Sequence, residues 1–249
     1  MGVKLTGSPW GCSSPLSSSL CEDVLTFGEN MSSISNSPFD KFTHVSCNEP
    51  VSVKPEGRQS TIRFFNDLSK VESYIKAAEG YDGAELVSIL KKNLSPNATI
   101  LELGIGPGKD MDLLIKEGFS VTGSDVSQPF LDLYRKRNQK ADLLLIDAVN
   151  INTGRKFDCI YSNKVMIHLS KEELRESLKS QYKNLNSNGV LAHSLWYGDK
   201  EEKWDGAQFF YYNEDTLSDL TKGMFEVVHL TRYKEMEKDD SMFAILRKI

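Results

Sequence analysis

The stretch Leu101-Glu-Leu-Gly-Ile-Gly-Pro-Gly108 decides how the rest of the chain is organised. Thr99 to Leu103 is a short apolar run of strand character that stops at the first glycine. Beyond the loop, Lys109 to Glu117 carries Met111, Leu114 and Ile115 on one helical face, with Gly118 as the stop. Glycines let the backbone turn tightly and approach a ligand where a Cβ would interfere. The following helix offers unpaired N–H groups and a positive dipole end to an anion. The stretch therefore predicts a strand, a ligand-binding turn and a helix in that order.

Downstream the alternation continues. Phe119 to Gly123 predicts a second strand and a helix begins near Pro129. Asp142 to Asp147 predicts a third strand, apolar enough to be buried on both faces. Phe157 to Ser162 is a fourth. Ser170-Lys-Glu-Glu173 forms a capping box that opens a helix with Leu174, Leu178 and Leu185 on one face. Gly189 to Trp196 is a fifth strand, and Asn213 caps a helix carrying Leu217 and Leu220. The last two strands, Phe225 to Tyr233 and Met242 to Leu246, are separated only by a charged turn at Lys238-Asp-Asp240, so they run antiparallel to each other. Upstream, helices are expected over Ile62 to Ala78 and Gly83 to Leu94, the second with Leu86, Leu90 and Leu94 on one face and Pro96 beyond its end. The pattern is that of a doubly wound α/β domain, a mostly parallel sheet with helices on both faces.

Composition sets the bounds around that domain. The chain has 249 residues, of which 39% are hydrophobic, enough for one globular domain or a little more. Residues 1–59 are rich in Ser, Asn, Pro and Gly and show no apolar period, so a flexible or poorly structured segment is expected ahead of a domain over 60–249. Within that domain, 60–96 reads as a helical lid and 97–249 as the core. Acidic residues outnumber basic ones by 35 to 30, which argues against nucleic acid as the ligand. No apolar run reaches the roughly 20 residues of a membrane span, and the chain does not start like a signal peptide. A soluble, cytoplasmic protein without membrane partners is expected. Cys12, Cys21, Cys47 and Cys159 form no CxxC pair and the four histidines no HxxxH pattern, so no metal site is expected. Cys159, inside the fourth strand, reads as core.

Glycine spacing then separates the cofactors. A dinucleotide fingerprint, GxGxxG, would place its third glycine at position 109, which is Lys109. Gly104, Gly106 and Gly108 instead give GxGxG, with Glu102 two residues ahead. Here the sequence resembles the class I S-adenosylmethionine-dependent methyltransferases, from Thr99 onward and back to about Ile62. The resemblance implies a Rossmann-like, mostly parallel seven-stranded sheet with an antiparallel C-terminal strand pair, and S-adenosyl-L-methionine as cofactor. It assigns Gly104, Gly106 and Gly108 to the methionine portion, Asp147 with Ala148 to the adenine, and Glu102 and Ile105 to cofactor binding. Asp125 and Val126 fall at the ribose, where a carboxylate can accept from both hydroxyls. Asn163 ends the fourth strand facing the transferring methyl, and Tyr81 lies in a lid near the cofactor.

The acceptor is read from what surrounds these positions. Amine-methylating enzymes acting on DNA or on protein amides carry an Asn/Asp-Pro-Pro-aromatic motif after the fourth strand, whereas this chain reads Asn163-Lys-Val-Met166. His168 follows and could take a proton from an acceptor. Trp196, Tyr211 and Tyr212 lie where related enzymes cover the acceptor pocket. A small-molecule acceptor is expected, with the attacked atom and the oligomeric state left open. Two other readings stand beside this one. A nicotinamide-dependent oxidoreductase is weakened by the glycine spacing and by the lack of a Tyr-x-x-x-Lys pair. A non-catalytic S-adenosylmethionine-binding protein would keep the loop and both acidic positions.

Overall fold

A computed structural model describes residues 57–204 and 206–249. The chain enters through α1 (Arg58–Asn66) and α2 (Leu68–Ala77), then α3 (Ala84–Lys91). The expected single helix from Ile62 to Ala78 is broken at Asp67. That residue is extended, and its carboxylate accepts from the backbone N–H of Ser69 (2.9 Å) and Lys70, capping α2. Side-chain competition of this kind ends one helix and starts the next. The expectation for residues 1–56 lies outside the described residues, while Arg58 and Gln59 belong to α1 rather than to the preceding segment.

The core alternates as β1 (Thr99–Leu103), α4 (Lys109–Lys116), β2 (Ser120–Asp125), α5 (Gln128–Arg137), β3 (Asp142–Leu145) and β4 (Phe157–Asn163). A 3-10 turn at Met166–His168 leads to α6 (Lys171–Asn184) and β5 (Leu185–Trp196). A hairpin of β6 (Glu201–Trp204) and β7 (Ala207–Phe210) precedes α7 (Glu214–Thr221), β8 (Phe225–Tyr233) and β9 (Ser241–Lys248). Seven strands form one sheet in the order β3-β2-β1-β4-β5-β9-β8, parallel except that β9 runs antiparallel to both β5 and β8. The fold is the expected Rossmann-like α/β sheet with its antiparallel pair. Both expected caps form: Ser170 and Glu173 make the full capping box, and Asn213 accepts from Thr216.

Burial follows from strand position. One face of the sheet packs Ile100, Cys159, Tyr161, Val190, Ala192, Phe243 and Ile245 against Leu86, Val87 and Leu90 of α3 and Leu114 of α4. Strand alternation sends the intervening residues to the other face, where Gln181 of α6 bonds His193. Three expectations are corrected here. β3 is an edge strand of four residues with none buried, because only β2 pairs with it, and Leu145 is 60% exposed. Ile115 turns to solvent while Met111 and Leu114 are buried. The sequence predicts no strand between Trp196 and Asn213, whereas the structure forms the β6–β7 hairpin there, with Gly206 at its turn at a positive φ of 86°.

Candidate functional site

The strand order reverses between β1 and β4, so the helices leaving these two strands diverge and open a crevice beyond their carboxyl ends. Two adjoining cavities occupy it and share Tyr74, Gly104, Gly106, Asn163 and Lys164 in their walls. The first extends toward Asp125, Ala148 and His168, the second toward Glu102, Asp110, Tyr81 and Glu235.

The three loop glycines all have positive φ but do different work. A Cβ on Gly104 would run into Val165, and one on Gly108 into the Tyr134 ring. At Gly106 nothing lies within 4 Å, so this position alone leaves its space open to the cavity. Gly108, expected at the methionine portion, lines neither cavity and instead packs closely against Tyr134 and Arg137 of α5. Ile105 is buried against Met111, Leu131 and Tyr134 and also walls the second cavity.

Asp125 ends β2 facing the loop. Its Oδ2 accepts from Gly106 N–H (3.0 Å) and its Oδ1 from Ser127 N–H (2.8 Å). Burial pushes its carboxyl up to about 6, against the pull of those backbone donors. Two oxygens with about four lone-pair sites leave acceptor capacity toward the cavity. Val126 lines the same wall, and its carbonyl accepts from Asn66 Nδ2 (3.3 Å) at the end of α1. Ala148 and Ile146 continue the wall after β3. Asp147 does not reach it: its Oδ1 accepts from Val149 N–H (2.9 Å) and pairs with Arg58, which does line the cavity.

In the second cavity Glu102 is 2% exposed and its Oε2 has no hydrogen-bond partner. Burial, then the charges of Asp110 and Asp125, hold this carboxyl well above the usual carboxylate range. Asp110, at the start of α4, accepts from Gly83 N–H (2.7 Å), Tyr161 O–H (2.7 Å) and Asn163 Nδ2 (3.0 Å). Asn163 also accepts from Ser194 (2.5 Å), so its amide is fixed in orientation. Lys109 donates to the carbonyls of Ala78 (2.5 Å) and Tyr81 (2.9 Å), tying the loop before α3 to the helix that follows the glycines. Asp110 was not singled out in the sequence, although an acid in the first turn after a GxGxG loop was a usable signal.

His168 lines the first cavity from the 3-10 turn, edge-on to Phe65 and tilted against Phe209. Its Nδ1 lies 2.9 Å from the Gln208 carbonyl, which can only accept, so Nδ1 bears the hydrogen. Burial pushes its pKa down to about 4, so the ring is neutral at physiological pH, with Nε2 unpartnered among the described residues.

The aromatic trio expected around an acceptor lies elsewhere, and none of the three lines either cavity. Lys164, in a left-handed conformation with φ 56°, sets its ammonium 3.7 Å over the Trp196 ring. That ammonium also contacts Ser241 Oγ (2.7 Å), the Leu195 carbonyl (3.2 Å) and Glu235 (2.9 Å). Trp196 is thus covered by a cation, and Tyr211 stacks on it while bonding Glu202 (2.9 Å). The Tyr212 hydroxyl donates to the Leu169 carbonyl. Phe65, Tyr74, Tyr81, Phe130 and Tyr233 line the cavities instead. No local pattern marked Lys164 or Glu235, which meet only once β4 and β8 are in the sheet.

Among the described residues no group of three or more His, Cys, Asp or Glu could hold a metal ion, and no helix is long and apolar enough to cross a membrane.

The fold is Rossmann-like, of the kind methyltransferases adopt, and residues 100–189 match the family model of a methyltransferase domain. The chain is 27% identical over 117 residues to phosphoethanolamine N-methyltransferase of Plasmodium falciparum, a match covering 45% of this chain and 44% of that protein. It therefore spans under half the length of that relative. It is 26% identical over 171 residues to carboxy-S-adenosyl-L-methionine synthase of Campylobacter fetus, covering 65% and 70% of the two chains. Among solved structures it resembles Burkholderia thailandensis 1,6-didemethyltoxoflavin-N1-methyltransferase, crystallised with 1,6-didemethyltoxoflavin and S-adenosylhomocysteine. There the TM-score is 0.65 at 16% identity, covering 81% of this chain and 93% of that one.

Proposed function

We propose that this domain transfers the methyl group of S-adenosylmethionine to a small-molecule acceptor. The observation that carries the reading is the convergence on one crevice of an open glycine position, Gly106, a buried carboxylate, Asp125, and a buried oxygen without a partner, Glu102 Oε2. Each answers a part of the cofactor. Asp125 suits paired ribose hydroxyls, and Glu102 suits an ammonium whose charge would bring its carboxyl back to the ionised state. Ala148, with Asp147 behind it, suits the adenine. When bound, the cofactor supplies an already electrophilic methyl group on sulfur.

The chain's own task is then binding, orientation and exclusion of water. Residues 60–96 act as a lid, a role supported by Phe65, Tyr74 and Tyr81 in the cavity walls and by the grip of Lys109 on the loop before α3. His168 offers a neutral Nε2 that can accept a hydrogen bond or proton from the acceptor. The small size of the acceptor is inferred from relatives whose names specify small molecules. A reducing, cytoplasmic setting fits the buried free thiol of Cys159.

Calorimetric titration with S-adenosylhomocysteine tests the cofactor, and labelled-methyl transfer into fractionated cell extract tests the acceptor. Binding with label in the small-metabolite fraction is expected. Label confined to macromolecules would reject the acceptor class, and binding without any transfer would favour a cofactor-binding protein that lacks turnover.

A further inference from the structure

The polar face of β5 contains a chain of buried side chains outside the crevice. The Ser162 hydroxyl lies 2.8 Å from His193 Nδ1, and His193 Nε2 lies 2.7 Å from Gln181 Oε1. Gln181 Nε2 donates to Ser177 Oγ (2.9 Å), and Ser177 donates to the Ala148 carbonyl (2.6 Å). All four side chains are at most 3% exposed. The bonds run in one direction. A carbonyl can only accept, so the Ser177 hydrogen points at Ala148 and its oxygen must accept from the Gln181 amide. The Gln181 carbonyl then faces His193, which puts the ring hydrogen on Nε2 and leaves Nδ1 to accept from Ser162. Every member is satisfied, the condition under which a buried polar network specifies one arrangement.

The chain ends where the crevice is least supported. β3 is a short edge strand, and the segment after it leaves the ladder after Ile146, whose N–H still reaches the Asp125 carbonyl (2.9 Å). The next peptide planes have no strand beside them. The plane joining Ala148 to Val149 is instead held at both edges, its carbonyl by Ser177 and its N–H by Asp147 Oδ1 (2.9 Å). The same two α6 side chains touch Met166 Sδ, from Gln181 Nε2 at 3.6 Å and Ser177 Oγ at 3.8 Å. Met166 opens the turn that presents His168. One pair of side chains therefore braces two walls of the first cavity, after β3 and after β4.

We infer that the Ser162–His193–Gln181–Ser177 chain is a positioning device for the adenine end of the cofactor site, with Ser177 as the residue that sets the Ala148 peptide. The inference rests on the cofactor reading above. It predicts selectivity as well as affinity, because a peptide free to rotate no longer presents Ala148 in one geometry to the base edge.

The test uses the full chain and two ligands, S-adenosylhomocysteine and S-inosylhomocysteine, whose base carries oxygen in place of the exocyclic amine. The wild type is expected to prefer the adenine form. In Ser177→Ala the adenine form should bind about five- to tenfold more weakly, the scale of one hydrogen bond, and the preference between the two ligands should collapse. Ser177→Thr, which keeps the hydroxyl, should restore the preference. Hydrogen exchange at the Val149 amide should quicken in Ser177→Ala without any ligand. Should that variant fail to fold, Gln181→Met, similar in volume and unable to donate, carries the same comparison. A folded variant with wild-type preference, or one that weakens both ligands equally, would overturn the positioning role. Failure of the wild type to bind S-adenosylhomocysteine would instead overturn the cofactor reading, and this inference with it.

Discussion

The crevice has a floor and a roof built on different principles. The floor is backbone: the glycine loop, the end of β2 and Asp125 are joined by N–H groups of Gly106 and Ser127 on one carboxylate. The roof is side chains from distant parts of the chain. Thr61 accepts from the Gln208 N–H (3.0 Å), His168 leans on the Gln208 carbonyl, and Lys164 reaches Glu235 at the far end of the sheet. A floor of backbone donors is fixed once the sheet forms and is indifferent to most side-chain changes. The roof depends on a few long-range pairs that can be exchanged without disturbing the strands. The difference suits a site in which the cofactor stays the same while the acceptor varies between relatives.

Substitutions on either side can break this contrast or sharpen it. The largest effect is expected for Gly104→Ala, where a Cβ meets Val165 and the backbone has φ 70°. Overpacking and left-handed strain together should cost about 2–4 kcal/mol in urea denaturation, with loss of cofactor binding. Asp125→Ala comes next. Two bonds to a charged acceptor are worth about 1.5–3 kcal/mol of cofactor affinity, and some stability should go too because two backbone donors lose their partner. Asp125→Asn, which keeps an acceptor, should recover much of the stability but less of the affinity, read by calorimetry.

The same carboxylate gives the floor a pH signature. With its pKa raised to about 6 in the folded chain, Asp125 is ionised above that value and protonated below it. Cofactor affinity should therefore fall as pH drops through about 6, by up to roughly tenfold per pH unit, while Asp125→Asn should show a flatter profile. The sign for stability is opposite: this group favours the folded state at low pH and loses that contribution as pH rises through about 6.

On the roof, Lys164→Met should cost about 1–2 kcal/mol, since Glu235 is left half-buried without its cation, yet change S-adenosylhomocysteine affinity less than threefold. A larger loss of affinity would mean that floor and roof are not separable. The smallest effect belongs to Tyr211→Phe. It removes one bond to Glu202 and should cost under about 1 kcal/mol with turnover unchanged, because the ring lies outside both cavities.

The contrast also explains what could be read from the amino acids in advance. Floor residues are close in sequence and obey local rules: an apolar run, glycines at a strand end, an acid at the end of the next strand. Glu102, Gly106 and Asp125, which line the crevice, are singled out by that local pattern and the family resemblance it carries, and the mostly parallel sheet follows from the alternation. Roof residues meet only through the finished sheet. Lys164 beside Glu235, or Gln208 beside His168, leaves no periodic trace, and composition alone does not show that Trp196, Tyr211 and Tyr212 line neither cavity. At Gly108 the same spacing meets the Tyr134 ring, whereas at Gly106 it leaves open space beside the cavity. Edge status misled at β3, where apolar composition could not reveal that only one neighbour would pair.

The placement of β9 bears on how the chain is made. It is synthesised after β8 yet lies between β5 and β8, and Ser241 to Leu246 are all buried. As the polypeptide leaves the ribosome, β5 can join β4 but has no partner on its other side, and β8 has no route into the sheet. That open edge is a place for another chain to pair during synthesis. β9 pairs with β8 across a short turn, so the two can dock on β5 as one ribbon, and β5 keeps its open edge until β9 has been made.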